Sequence, residues 1–134
     1  MQNILGLADD DGCFVCGKSN PIGLKLEFVQ EGEEYVTYFT PEKQHQGYLG
    51  ITHGGIVSMV LDEVMARYCH ALGHKAVTGE LVVRLRKPAQ TGIRLRFAGK
   101  IESDAGRVIK CSATATDDDG QLIAEATGKI IKVA

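Results

Sequence analysis

The chain is predicted to be a single α+β domain in which one long helix lies across an antiparallel sheet of five to six strands. Three observations support this. Residues 54 to 72 carry the only sustained helical spacing of apolar residues in the sequence. Two runs of alternating apolar and polar residues precede it, and four follow. The strand-like runs are joined by short turn sequences, which favour antiparallel neighbours, and the sheet they form needs a cover for its apolar face.

Residues 1–23, rich in Asp, Gly, Cys, Asn and Pro, read as a leader and an ordered loop ahead of a domain spanning 24–134. Leu24, Leu26 and Phe28 alternate with Lys25, Glu27 and Val29, predicting a half-buried strand. After Gly32, Tyr35, Thr37 and Phe39 alternate up to Pro41, so the pair reads as a hairpin. Residues 42–52 are polar and glycine-containing, hence a loop. Ile56, Val57, Val60, Leu61, Val64 and Tyr68 then recur at three and four residues, and Gly73 supplies the stop. Strands are expected around Leu81–Leu85, Ile93–Glu102, Ile109–Ala115 and Leu122–Val133. Asp104-Ala105-Gly106 and Asp117-Asp118-Asp119-Gly120 mark turns, the second a solvated tip rather than a metal site.

The 134 residues suffice for one hydrophobic core. A net charge of −2 lacks the cationic excess that a nucleic-acid-binding protein needs. No apolar run reaches the ~20 residues that cross a bilayer, so no membrane association is expected. The start of the chain has no charged-then-apolar secretion signal, and the expected location is the cytoplasm. A structural zinc takes four ligands, and no second Cys/His pair has suitable spacing. Cys13 and Cys16 are therefore expected to pack the N-terminal loop without a metal, and Cys69 and Cys111 to act as small buried apolar groups.

The chemistry concentrates in Gly47-Tyr48-Leu49-Gly50-Ile51-Thr52-His53-Gly54-Gly55, which runs into the helix. The first amides of a helix have no partner inside it and sit at the positive end of its dipole. Gly54 and Gly55 thus offer N–H groups to a polarised carbonyl oxygen. Asp62 follows nine residues after His53, with Gly55, Ser58, Met59, Met65, Ala66 and Cys69 near it on the helix surface. A carboxylate in so apolar a setting is costly unless it is partnered or functional. Asp62 lies about 12 Å along the helix from Gly54, too far for both to touch one carbonyl. Either one of them is catalytic, or the helix start of one subunit meets the Asp of another. Neighbouring Glu63 is expected to pair with Arg67 at i+4. Arg84, Arg86, Lys87, Arg94 and Arg96 form a basic band, either solvated or facing an anionic ligand.

His-Gly-Gly, six residues and then Asp at the start of the long helix resembles the hot-dog thioesterase superfamily, with its sheet wrapped around one central helix. The match is closest to the phenylacetate-pathway-type branch. Cys13-Phe14-Val15-Cys16-Gly17 with Asn20-Pro21-Ile22-Gly23-Leu24, Gln46-Gly47, Asp62-Glu63, Ala76-Val77-Thr78-Gly79-Glu80-Leu81 and Arg86-Lys87-Pro88 complete the likeness over residues 13–131. The resemblance implies acyl- or aroyl-CoA hydrolysis by a homodimer or a dimer of dimers. CoA would be part of the substrate, and no cofactor is implied. The amide of Gly54, helped by Gly55, would polarise the carbonyl. Asp62 of the opposite subunit would act as base or nucleophile, and the Thr78 hydroxyl would hold the water. His53 would position the loop. Gln46, Gly47, Ser58, Glu63, Arg86 and Lys87 would lie along the substrate. Relatives often carry Asn at the position of Gly47, where Gln46 is the neighbouring substitute. The rival readings are an acyl-CoA-binding domain without catalysis and a hot-dog enoyl hydratase or dehydratase.

Overall fold

A computed structural model describes residues 7–133. Six strands form one antiparallel sheet: β1 (Phe28–Glu31), β2 (Glu34–Phe39), β3 (Ala76–Leu85), β4 (Leu95–Ala105), β5 (Val108–Asp117) and β6 (Leu122–Lys132), in the order β1-β2-β4-β5-β6-β3. The helix α1 (Gly54–Ala71) covers one face. This is the hot-dog arrangement that the resemblance implies. Among the described residues, no helix is long and apolar enough to cross a membrane.

α1 buries Val57, Val60, Leu61, Val64, Met65, Tyr68 and Cys69, the stripe set by its spacing. Each such side chain contributes about 1.5–3 kcal/mol on leaving water. The helix can lie close because the strands beneath it carry small residues. A Cβ on Gly99 would sit 2.6 Å from the Val64 carbonyl oxygen, and one on Gly128 would sit 3.1 Å from the Met65 methyl. Ala113, Ala115, Ala124 and Ala126 complete this bed. The helix ends at Leu72, where Gly73 takes φ +94°, a left-handed conformation that suits glycine.

Two expectations change. β1 begins at Phe28 rather than Leu24, because the amides of Leu24 and Leu26 donate to Phe14 O (2.8 Å) and Val15 O (2.9 Å). Residues 13–26 are thus a strap, with Val15 inserted into the common core. β3 begins at Ala76, and its alternating pattern does not bury one face. It is an edge strand, and Leu81, Val82 and Leu85 are exposed.

Candidate active site

The loop before α1 is held by paired backbone. Gly47 N donates to Ile51 O (2.8 Å), Thr52 N to Ala89 O (2.7 Å) and His53 N to His45 O (2.8 Å). His53 is the N-cap, and its ring Nδ1 accepts from Gly55 N at 2.8 Å. As the acceptor of this bond, Nδ1 carries no proton. The carbonyl of His53 takes the amides of Ile56 and Val57. Three of the four amides at the helix start are therefore engaged. The Gly54 N–H has no partner among the described residues. This corrects the expectation that Gly55 assists: its proton already points at His53.

Gly54 opens on a cleft of about 590 Å³ lined by Gly47, Thr52, His53, Leu85, Arg86 and Lys87 among others. Among the described residues, the cleft walls include no carboxylate. The Thr52 hydroxyl is buried and lacks a hydrogen-bond partner among the described residues. Arg86 reaches across to Glu125, and the Lys87 ammonium donates to Gln121 at 3.3 Å. Arg94, just before β4, and Arg96, within it, lie elsewhere, on Asp118 and on Glu31 and Glu34, because β5 and β6 separate β4 from β3. The basic residues therefore do not form one band.

Asp62 is away from this cleft. Its Oδ1 accepts from Thr78 Oγ1 at 2.7 Å, and the pair is half-buried. The register of β3 against β6 shifts between Thr78 and Glu80. Such a bulge re-aims a side chain, and here the Thr78 hydroxyl meets the helix carboxylate. Gly79 occupies the irregularity, where a Cβ would fall 2.6 Å from Ile131.

The remaining candidates disperse. Ser58 Oγ donates to Gly54 O (2.8 Å), back along its own helix. Gln46 Oε1 accepts from Gly50 N (3.3 Å), and Gln46 borders a separate hollow with Phe14, Gly55 and Met59. Glu63 makes no ion pair with Arg67; its Oε2 accepts from Cys13 Sγ at 3.3 Å. The Cys16 thiol is pushed well above its ordinary value by burial and then by Cys13 and Glu63 beside it. Sequence reasoning passed over Tyr48 and Leu49, each 83% exposed in the loop that borders the cleft. Two adjacent large apolar residues in a polar loop were the available signal.

The thioesterase superfamily model matches residues 49–124, more than half of the chain. A Xenopus laevis acyl-coenzyme A thioesterase, THEM4, is 29% identical over 99 residues, covering 73% of this chain and 45% of that protein. The chain thus spans less than half the length of this curated relative. A Streptococcus mutans protein solved bound to acetyl-CoA superposes with a TM-score of 0.76 at 21% identity, over 81% of this chain and 89% of that one. The Escherichia coli PaaI protein from the phenylacetic acid degradation operon gives 0.77 at 17% identity, over 83% and 81%.

Proposed function

The chain belongs to the thioesterase superfamily, and on that premise we propose that it hydrolyses acyl-CoA-type thioesters at sites shared between two copies of itself. One observation carries the reading. The free amide of Gly54 lines a cleft without a carboxylate among the described residues, while Asp62, bonded to Thr78 of β3, stands farther along the same helix. One chain therefore holds two half-sites. The β3 edge, unpaired among the described residues and ten residues long with Leu81, Val82 and Leu85 exposed, supports joining two chains edge to edge. A two-fold axis there lays the two α1 helices side by side in opposite directions, and Asp62 of the partner subunit approaches Gly54.

The thioester carbonyl oxygen takes the Gly54 N–H, and the developing oxyanion is stabilised by the helix start. Thr78 spends its proton on Asp62 Oδ1, leaving oxygen lone pairs on both side chains. A water donating one proton to Asp62 Oδ2 and the other to Thr78 Oγ1 turns its own lone pair toward the carbonyl carbon. Asp62 removes the water proton as the C–O bond forms. That proton then passes to the departing CoA sulfur, giving the carboxylic acid and the thiol. Arg86 and Lys87 at the cleft mouth suit the CoA phosphates. The apolar walls, with Tyr48 in the loop beside them, suit the acyl or aroyl group. The Cys-x-x-Cys-Gly strap and Gln46-Gly47 support the phenylacetate-pathway-type branch.

The test is free-thiol release from a panel of acyl- and aroyl-CoAs. Asp62→Asn, which keeps the Thr78 hydrogen bond and the side-chain volume, should fold normally and lose about 100-fold or more of kcat. Turnover of the purified variant near that of the wild type would refute the role of Asp62. Tight binding of a thioester without turnover by the wild type would refute hydrolysis itself.

A further inference from the structure

We propose that Cys13, Cys16 and Glu63 form a binding site for a zinc-type divalent cation that clamps the N-terminal strap to α1. The ligand atoms of these three half-buried residues lie within 4.8 Å of one another. The two sulfurs come from a turn that its own backbone closes. Gly17 N donates to Cys13 O at 2.8 Å, and a Cβ on Gly17 would lie 2.4 Å from Cys13 N and 2.5 Å from Asp11 O. Only glycine fits there, so the turn that presents both sulfurs on one side is built into the strap. Val15, between the cysteines, anchors the turn in the core, and the Leu24 and Leu26 amides fix its backbone. The thiols therefore face Glu63 through the packing of the strap.

Glu63 supplies the second argument. It is a half-buried carboxylate with Cys13 Sγ at 3.3 Å, and it makes no ion pair with a cationic side chain. A thiol is a weak donor, so this carboxylate is poorly compensated for the water it has lost. A cation between the three groups would remove that deficit. Two soft thiolates and a carboxylate select zinc over magnesium or calcium. Zinc–sulfur bonds of about 2.3 Å place two sulfurs of a tetrahedral site about 3.8 Å apart, so the two sulfurs need close by about 1 Å at most. Cys16 also borders a cavity of about 600 Å³, from which water completes the fourth position. Binding converts the two thiols to thiolates and releases their protons to solvent. Glu63 directly follows Asp62 in α1, so the clamp holds the helix turn that carries Asp62.

The experiment uses the full chain purified under reducing conditions. Elemental analysis should find about one zinc per chain. After chelator treatment, the chain should melt at a lower temperature and regain its Tm with one equivalent of zinc chloride. Cobalt(II) in place of zinc should produce a sulfur-to-metal charge-transfer absorption. Cys13→Ser and Cys16→Ser should each abolish that band, and Glu63→Gln should weaken zinc binding at least tenfold. Circular dichroism of each variant separates lost binding from lost fold. Should a serine variant unfold, the cobalt spectrum of the wild type decides alone. The proposal is overturned by a folded, reduced wild type that takes up no zinc at micromolar concentration. Zinc binding that survives both serine substitutions also overturns it, as does a metal-free Cys13–Cys16 disulfide in freshly purified protein.

Discussion

Gly54 and Gly55 differ at the start of α1 in the destination of one amide proton. The proton of Gly55 points at His53 Nδ1, whereas that of Gly54 has no partner within the described chain. This makes Gly54→Pro an unusually selective test. Proline is favoured at the first helical position, where its ring presets φ and its missing N–H breaks no helix bond. His53, at φ −58° and ψ 130°, already has the conformation that a residue before proline adopts. The added Cβ meets only the Leu85 Cδ1 atom at 2.8 Å, the end of a flexible side chain. The variant should therefore fold with nearly unchanged stability while kcat drops about 100- to 1,000-fold, the cost of one lost oxyanion donor. Thiol release and a urea melt measured together check both halves. A folded Gly54→Pro protein with full turnover would remove the amide from the mechanism.

At the level of elements, α1 is placed by the sheet residues that make room for it. Gly99 is the tightest of them, since its missing Cβ would press on the Val64 backbone, which cannot rotate aside. Gly99→Ala should therefore destabilise the fold by about 1–3 kcal/mol, as overpacking does. A urea midpoint unchanged from wild type would show that the helix rides more loosely than the contact implies. The helix itself was legible in the sequence because its burial pattern is local, repeating over one continuous segment. β5 was legible for the same reason, with Ile109, Cys111, Ala113 and Ala115 all buried. What could not be read locally depends on distant partners. Leu24 and Leu26 look like a strand but bond to the strap at Phe14 and Val15. Glu63 was assigned to Arg67 by helical spacing, yet the group it faces is Cys13, fifty residues earlier. The Asp62–Thr78 bond depends on the irregularity at Gly79, which a strict period-two reading of β3 passes over.

For the whole molecule, the proposed shared site and a β3 edge that is unpaired among the described residues make a quantitative prediction about mixing. Leu85 is 56% exposed and also lines the Gly54 cleft, so edge and cleft belong to one surface. If each site joins Gly54 of one chain to Asp62 of the partner subunit, Asp62→Asn and Gly54→Pro are defective in different halves. In a mixed dimer, one site contains both defects and the other contains neither. Random pairing of equal amounts makes half of the dimers mixed, each with one working site of two. Unfolding and refolding the two inactive variants together should thus restore about a quarter of wild-type activity. Each variant refolded alone should stay inactive. The recovered activity should fall on dilution below the dimer dissociation constant, and sedimentation should show a dimer or a multiple of one. No recovery from a mixture that forms dimers would refute a site that joins Gly54 of one chain to Asp62 of the other. Wild-type turnover by a monomer would break the link between the β3 edge and the chemistry.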